Sequence, residues 1–291
     1  MKIVQIIGGL GNQMFQYSLA LALRRRYGNE VAVDTCFFRG YPLHNHYEID
    51  KIFHATLPVA SKREVRNAFR LLVGHYNLSR IYKHCLPCKK TEYREKQATA
   101  FNPNVLEDQR ATYYDGYWQD HRYLIDVKDD ILREFVWRQP LTGKNAELFQ
   151  QLASGNSVSI HYRGGDYVNH PTFGGICDVD YYKRAIAQIA PCMRPGTLVA
   201  IFSNDIATCK EHLCPLLKDC QVVFVDWNQG ADSHLDMRLM TACQTNIVAN
   251  SSFSWWGAFL NQRKDHVVVA PKRWTRNGQT AQRCLPDWLR V

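Results

Sequence analysis

Val158-Ser159-Ile160-His161-Tyr162-Arg163-Gly164-Gly165-Asp166-Tyr167 is the stretch that decides the fold. An apolar run of the buried-strand kind leads straight into an arginine and two glycines, so a charged turn closes a predicted strand. In an open α/β sheet, ligands bind beyond the carboxyl ends of the strands. A planar guanidinium placed there suits a phosphate or diphosphate: it makes two parallel charge-assisted hydrogen bonds, and glycines beside it let backbone come close. Two other segments strengthen the reading, Gly8-Gly9-Leu10-Gly11-Asn12-Gln13-Met14-Phe15-Gln16-Tyr17 near the start and Asn250-Ser251-Ser252-Phe253-Ser254-Trp255-Trp256-Gly257-Ala258 near the end.

Around the deciding stretch the pattern is regular. Strands are predicted over 158–161, 198–203, 221–225, 246–249 and 266–270, separated by helical runs. One helix begins near Asp180, repeats Tyr182, Ala185, Ile186 and Ile189, and ends at Pro191. Short apolar strands alternating with helices imply a parallel, doubly wound sheet covered on both faces. Upstream, Gln139-Pro140-Leu141-Thr142-Gly143 reads as a linker, which divides the chain into domains of residues 1–140 and 141–291. The first domain opens as βαβ: a strand over 2–7, a glycine turn, an amphipathic helix over 12–27 with Phe15, Leu19, Ala22 and Leu23 on one face, and a strand over 31–34. Residues 36–90 read as irregular structure with a helix near 61–73. A strand over 111–114 leads to the aromatic turn Asp115-Gly116-Tyr117-Trp118-Gln119, followed by a helix over 123–135.

Composition narrows the partners. With 46% hydrophobic and 22% charged residues the chain is globular, and no apolar stretch approaches the roughly 20 residues needed to span a bilayer. The start runs into a strand and not a signal peptide, so the expected location is cytoplasmic. Ten cysteines show no disulfide-framework spacing, and Cys85-Leu86-Pro87-Cys88 is a lone CxxC without a second pair, so structural thiols and no metal site are expected. A net charge of +9 favours anionic partners. The basic clusters Arg24-Arg25-Arg26, Lys62-Arg63, Lys89-Lys90 and Lys272-Arg273 are short and carry no nucleic-acid motif, so nucleic acid is not expected. Arg24 to Arg26 close the first helix, where cations complement its dipole. Gly8, Gly9 and Gly11 lack the GxGxxG spacing, which disfavours a nicotinamide dinucleotide.

Taken together, GGLGNQMFQYSLA, HYRGGDY and NSSFSWWGAFL resemble the bacterial α-1,2-fucosyltransferases that use GDP-fucose, of the family 11 type. YPLHNHYEIDKIF, DGYWQD and FSND are similar to further segments of that family, so the resemblance covers nearly the whole chain. It implies a GT-B-like α/β fold, two Rossmann-like domains facing a cleft, with an N-terminal acceptor-side domain and a C-terminal GDP-fucose-binding domain. It also implies inverting transfer to O2 of a terminal galactose in O-antigen-type surface-glycan synthesis, with no metal or other cofactor. The acceptor is then a galactose-terminated glycan, and a lipid-linked one would bring the basic faces to the inner membrane as a peripheral contact. The sequence departs from the family at Gly164, where a second arginine is usual. Transfer of fucose to another position, such as α-1,6, and a catalytically silent nucleotide-sugar or glycan-binding module both stay open.

The resemblance implies roles residue by residue. Arg163 would hold the diphosphate and stabilise the charge developing on GDP; the alternative is a surface ion pair. His161 would lie by the guanine, or be a core histidine. Asp166 either orders Arg163 or acts on the acceptor hydroxyl. Ser251 and Ser252 are helix-cap residues, diphosphate ligands, or both. Asp205 either accepts from guanine or caps the helix from Ile206. Asp236 pairs with Ser233 as a capping box, or supports the donor site. Gly9, Gly11, Asn12 and Gln13 would offer donors to the diphosphate or fucose. His44, His46, Tyr47, Asp115, Tyr117, Trp118 and Gln119 are of sugar-holding type and form the acceptor set, although most suit core or surface equally. Trp255 and Trp256 read as packing. No residue stands out as the catalytic base.

Overall fold

The computed structural model describes residues 1–68, 90–95, 101–164, 170–276 and 282–291. They form two compact α/β units, Met1–Gln139 with Ala281–Arg283, and Pro140–Thr280 with Cys284–Val291.

The first unit contains β1 (Lys2–Gln5), α1 (Leu10–Tyr27), β2 (Val31–Asp34), α2 (Lys62–Ala68), β3 (Glu92–Arg94), β4 (Tyr113–Asp115) and α3 (Lys128–Glu134). Its strands pair in parallel in the order β2-β1-β4-β3. All four residues of β1 and of β2 are buried, as expected for a parallel sheet covered on both faces. The helix α1 departs from the amphipathic expectation. It is buried almost all round from Leu10 to Leu23, because it packs on β1 and β2 and is itself flanked by α3. The helix expected over 123–135 is also different: two 3-10 turns, His121–Tyr123 and Ile125–Val127, precede α3. Asp120 causes the first break by accepting from the Arg122 N–H at 3.1 Å. Asp120 also accepts from the N–H of Gln282 at 3.2 Å, so a segment near the C-terminus completes this unit.

The second unit contains α4 (Gly143–Ser154), β5 (Ser157–Tyr162), α5 (Val179–Ile189), β6 (Leu198–Ser203), α6 (Ile206–His212), β7 (Gln221–Val225), α7 (His234–Met240), β8 (Thr245–Ile247), α8 (Ser252–Phe259), β9 (Val267–Ala270) and β10 (Leu289–Arg290). All pairs are parallel, in the order β10-β9-β8-β5-β6-β7. The chain therefore winds outward from β5 through β6 to β7, then returns to β8 on the other side. Alternation along β6 serves both faces. Val199 and Ile201 join a core with Val158, Ile160, Tyr182 and Ile186, while Ala200 and Phe202 join one with Leu148, Leu239 and Met240. Asp178 caps α5 by accepting from Tyr181 N–H at 2.8 Å, two residues before the expected start. No helix among the described residues is long and apolar enough to cross a membrane.

A buried carboxylate locks the first unit. Glu134 accepts from Tyr17 Oη at 2.7 Å, from Thr56 N–H at 2.6 Å and from Arg24 at 2.7 Å. Burial raises its pKa, but these hydrogen bonds outweigh that effect and hold it below the usual value. Arg24 thus anchors α1 to α3 as well as closing the helix. Glu134→Ala should destabilise the protein by about 2–4 kcal/mol, since it leaves the buried Tyr17 hydroxyl without its acceptor and removes the charge partner of Arg24. Chemical denaturation checks this, and a loss below about 0.5 kcal/mol, the usual range for surface changes, would disprove it.

Candidate active site

In the second sheet, β5 and β8 are neighbours whose connections leave in opposite directions. Such a reversal opens a crevice beyond the carboxyl ends of the two strands. Two of the three motifs emerge there. Arg163 and Gly164 follow β5, and Asn250, Ser251 and Ser252 follow β8; Ser203, Asn204 and Asp205 stand at the end of β6 beside them. The ends are tied together by side chains. Nδ1 of His161 shares a hydrogen bond of 2.9 Å with Ser254 Oγ on α8, and Gly164 N–H donates to Asn204 Oδ1 at 3.1 Å. Arg163 is half-buried between these contacts. Asp166 lies outside the described residues.

His161 is buried, and its pKa is pushed down to about 3 by desolvation and then by the charge of Arg163. It is a neutral imidazole at any ordinary pH. Ser251 is the cap of α8, its Oγ accepting from Phe253 N–H at 3.3 Å, and Ser252 opens the helix. Asn250 is held elsewhere, donating to the carbonyls of Phe173 at 3.0 Å and Trp274 at 3.3 Å. Trp255 and Trp256 are fully buried against Phe259 and pack the helix.

Asp205 caps α6, accepting from Thr208 N–H at 3.2 Å and Thr208 Oγ1 at 2.7 Å, and Thr208 lowers its pKa. Its carboxylate also limits Gly164. A Cβ at Gly164 would stand 2.8 Å from the Asp205 Cβ and 3.0 Å from Oδ2, so close approach and not a left-handed backbone is what glycine provides here.

Asp236 corrects one expectation. Ser233 makes no side-chain cap, and Asp236 instead accepts from Asn228 Nδ2 at 2.8 Å. Asn228 is paired with Asn145, which also accepts from Trp227 Nε1 at 3.0 Å. Burial raises the Asp236 pKa to about 7. A carboxylate set among Leu235, Met237, Leu239 and Met240 is the signal that would have pointed to this cluster.

The first sheet sets β1 beside β4, and a second group of residues gathers at those strand ends. The glycine turn follows β1 and the aromatic turn follows β4. The His44 ring lies against Gly9, at 3.2 Å from where a Cβ would be. Asn12 Oδ1 accepts from Gln119 Nε2 at 2.6 Å, and Asp115 is 3.6 Å from Arg94 Nε. Gly11 is buried at the start of α1. Residues sorted by sequence into donor and acceptor sets thus interleave at one place in the first unit. Tyr117 is 39% exposed there.

Two side chains leave the expected ligand sets. Gln13 is 0% exposed; its Nε2 donates to the carbonyls of Gly8 at 2.9 Å and His46 at 2.7 Å, and its Oε1 accepts from Glu48 N–H. It shapes the loop and has no donor left for a ligand. Trp118 is 1% exposed, enclosed by Tyr93, Tyr114 and Tyr123, so it builds core and offers no face to a sugar. A residue outside the expected sets, Gln16, also shapes this place: its amide accepts from Ile7 N–H at 2.8 Å and donates to the Gly116 carbonyl at 2.9 Å. Gln13 and Gln16, one turn apart on a buried helix, were its visible sign in the sequence.

Among the described residues no three His, Cys, Asp or Glu side chains are grouped to hold a metal ion, and the described cysteines are free thiols. Cys85 and Cys88 lie outside them.

Two outcomes are expected from this geometry. Because the His161 pKa in the fold lies below its ordinary value of 6.5, its contribution to stability is intact above about pH 6.5 and is lost as pH falls towards 3. That loss has a slope of up to about 1.4 kcal/mol per pH unit. His161→Gln should flatten this part of the stability profile, and an unchanged slope would show that the imidazole is not buried neutral. Gly164→Arg restores the usual family pair, yet it must displace the Asp205 cap and should lower the melting temperature by about 2–4 °C. A calorimetric titration with GDP beside the melting curve reads both effects, and an unchanged melting temperature would refute the steric account.

Known proteins give this arrangement its context. The profile of glycosyl transferase family 11 matches residues 1–291. An α-1,2-colitosyltransferase of Escherichia coli is 30% identical over 99% of this chain and 98% of its own length. A galactoside α-(1,2)-fucosyltransferase 2 of Sus scrofa is 26% identical over 88% of this chain and 68% of its own. In structure the chain is similar to the fucosyltransferase NodZ from Bradyrhizobium, with a TM-score of 0.51 and 17% identity over 89% of this chain and 91% of that one. That likeness identifies the α/β fold as GT-B-like. The chain belongs to glycosyl transferase family 11, and its two parallel sheets are the framework of a glycosyltransferase.

Proposed function

We propose that this glycosyltransferase moves L-fucose from GDP-β-L-fucose to O2 of a terminal galactose, with inversion. The observation that carries the reading is the meeting of Arg163 with the start of α8 at the β5/β8 reversal. A guanidinium and the first N–H groups of a helix are both suited to a diphosphate. As the bond from the anomeric carbon to GDP lengthens, negative charge grows on the diphosphate and the sugar takes on oxocarbenium character; preorganised donors then help most. Buried, neutral His161 fixes the strand end that carries Arg163 through its bond to Ser254. The acceptor's O2 attacks from the opposite face in a single displacement. His44, Asp115, Tyr117 and Gln119 supply stacking and hydrogen bonds for the galactoside. A lipid-linked glycan acceptor would put the basic protein beside the inner membrane.

The α-1,2 linkage in the names of both relatives supports O2 as the acceptor position. The first of those names also favours a second donor. Colitose lacks the 3-hydroxyl of L-fucose, so turnover of GDP-fucose against GDP-colitose on lactose, followed by linkage determination, separates the two sugars. A 1,6-linked product would overturn the O2 assignment, and binding without turnover would make the protein a nucleotide-sugar-binding module.

Arg163→Lys keeps the charge and loses the two-pronged donor, so kcat/KM should fall roughly 100-fold with the melting temperature unchanged. Full activity in that variant would remove Arg163 from the mechanism. With the diphosphate charge assigned to Arg163 and backbone amides, turnover should survive excess chelator; loss that Mg²⁺ or Mn²⁺ restores would show that a metal shares this role.

A further inference from the structure

We propose that Glu95 is a positioning residue for acceptor recognition: its carboxylate holds the turn Gly116-Tyr117-Trp118 in the one conformation that presents Tyr117 outward. The inference rests on the reading of that turn as acceptor surface. Glu95 directly follows β3, and Oε2 accepts from the N–H of Tyr117 at 2.7 Å and of Trp118 at 3.3 Å. The fit is close. A Cβ at Gly116 would stand 2.5 Å from the Glu95 Cβ, so only glycine lets the turn settle on this side chain.

The turn needs such a hold. Trp118 has φ of +55°, a left-handed backbone that a bulky side chain rarely adopts and that persists only where its surroundings impose it. Consecutive N–H groups converging on one carboxylate oxygen impose it from one side, and the Gln16 amide fixes the Gly116 carbonyl from another. With Trp118 buried as the anchor, Tyr117 must point the opposite way. Glu95 therefore decides where the exposed ring stands without itself reaching a sugar.

The carboxylate can accept both N–H groups, whereas the protonated acid gives up part of that capacity. Burial lifts its pKa to about 7, opposed by the two N–H bonds and by Arg283 from the C-terminal segment and reinforced by Asp115 on β4; the Tyr123 hydroxyl also faces it. Acceptor recognition should accordingly weaken as pH falls below about 7.

The test compares Glu95→Ala, Glu95→Gln and Tyr117→Ala with the unaltered protein, using GDP-fucose and lactose. Glu95→Ala should raise the acceptor KM roughly tenfold while the GDP dissociation constant stays constant. Glu95→Gln, a neutral mimic of the protonated acid, should give an acceptor KM between those of the unaltered protein and Glu95→Ala and abolish the decline of acceptor kcat/KM below pH 7. If Tyr117→Ala raises the acceptor KM but both Glu95 variants match the unaltered protein, the positioning role is wrong and the acceptor reading stands. If Tyr117→Ala has no effect, the acceptor reading fails and this inference falls with it. Should Glu95→Ala not fold, Glu95→Gln decides: a pH profile identical to that of the unaltered protein overturns the proposal.

Discussion

The hydrogen bond between His161 and Ser254 joins the end of β5 to α8 across the point where the second sheet reverses. The local geometry of the candidate donor site depends on that link. A parallel sheet closes its faces with helices but leaves its strand ends open, and at a reversal nothing from the neighbouring connections fills the gap. Here a buried neutral imidazole spans it. The imidazole can stay buried because it is uncharged, and the adjacent Arg163 helps to keep it so. Arg163 and His161 are therefore coupled: the cation disfavours a proton on the ring, and the neutral ring can stay in the core.

The first unit reaches a comparable arrangement with amides instead of charges. Gln13, Gln16 and Asn12 project from the first turns of α1 and bind, respectively, the loop carrying His46, the carbonyl of Gly116 and the side chain of Gln119. Buried amides must be satisfied, and each satisfied amide fixes a loop. The glycine turn and the aromatic turn are thus one structure. Glu95 adds the only carboxylate hold seen on that turn among the described residues, and Glu134 secures the base of the same helix.

Much of this was legible in the chain. The strands β5, β6 and β7 announce themselves as short runs rich in Val, Ile and Phe, and all lie within a residue or two of their expected bounds. The three motifs were readable as strand-end loops because glycine, arginine and serine together suit a turn far better than they suit a packed core. Short elements were not. β3 and β10 have too few residues for periodicity to show, and they exist because a neighbour offers a free edge. The burial of α1 was hidden as well, since its small and polar residues mimic an exposed face until their partners are known. Trp118 shows the limit most plainly: sequence offers the same letters for a sugar platform and a core anchor, and only enclosure by three tyrosines distinguishes them.

By itself, the sequence determined the class of fold and the family, because these depend on local pattern and on which residue types a turn can hold. Tertiary structure alone decided which of the motif residues are taken up by internal partners. Asp205 and Ser251 are committed to helix caps, Gln13 to a loop, Trp118 to the core and Asp236 to a buried amide cluster. The physical reason is that a polar side chain is available to a partner only after its own hydrogen-bond demands are met, and those demands are set by groups tens or hundreds of residues away.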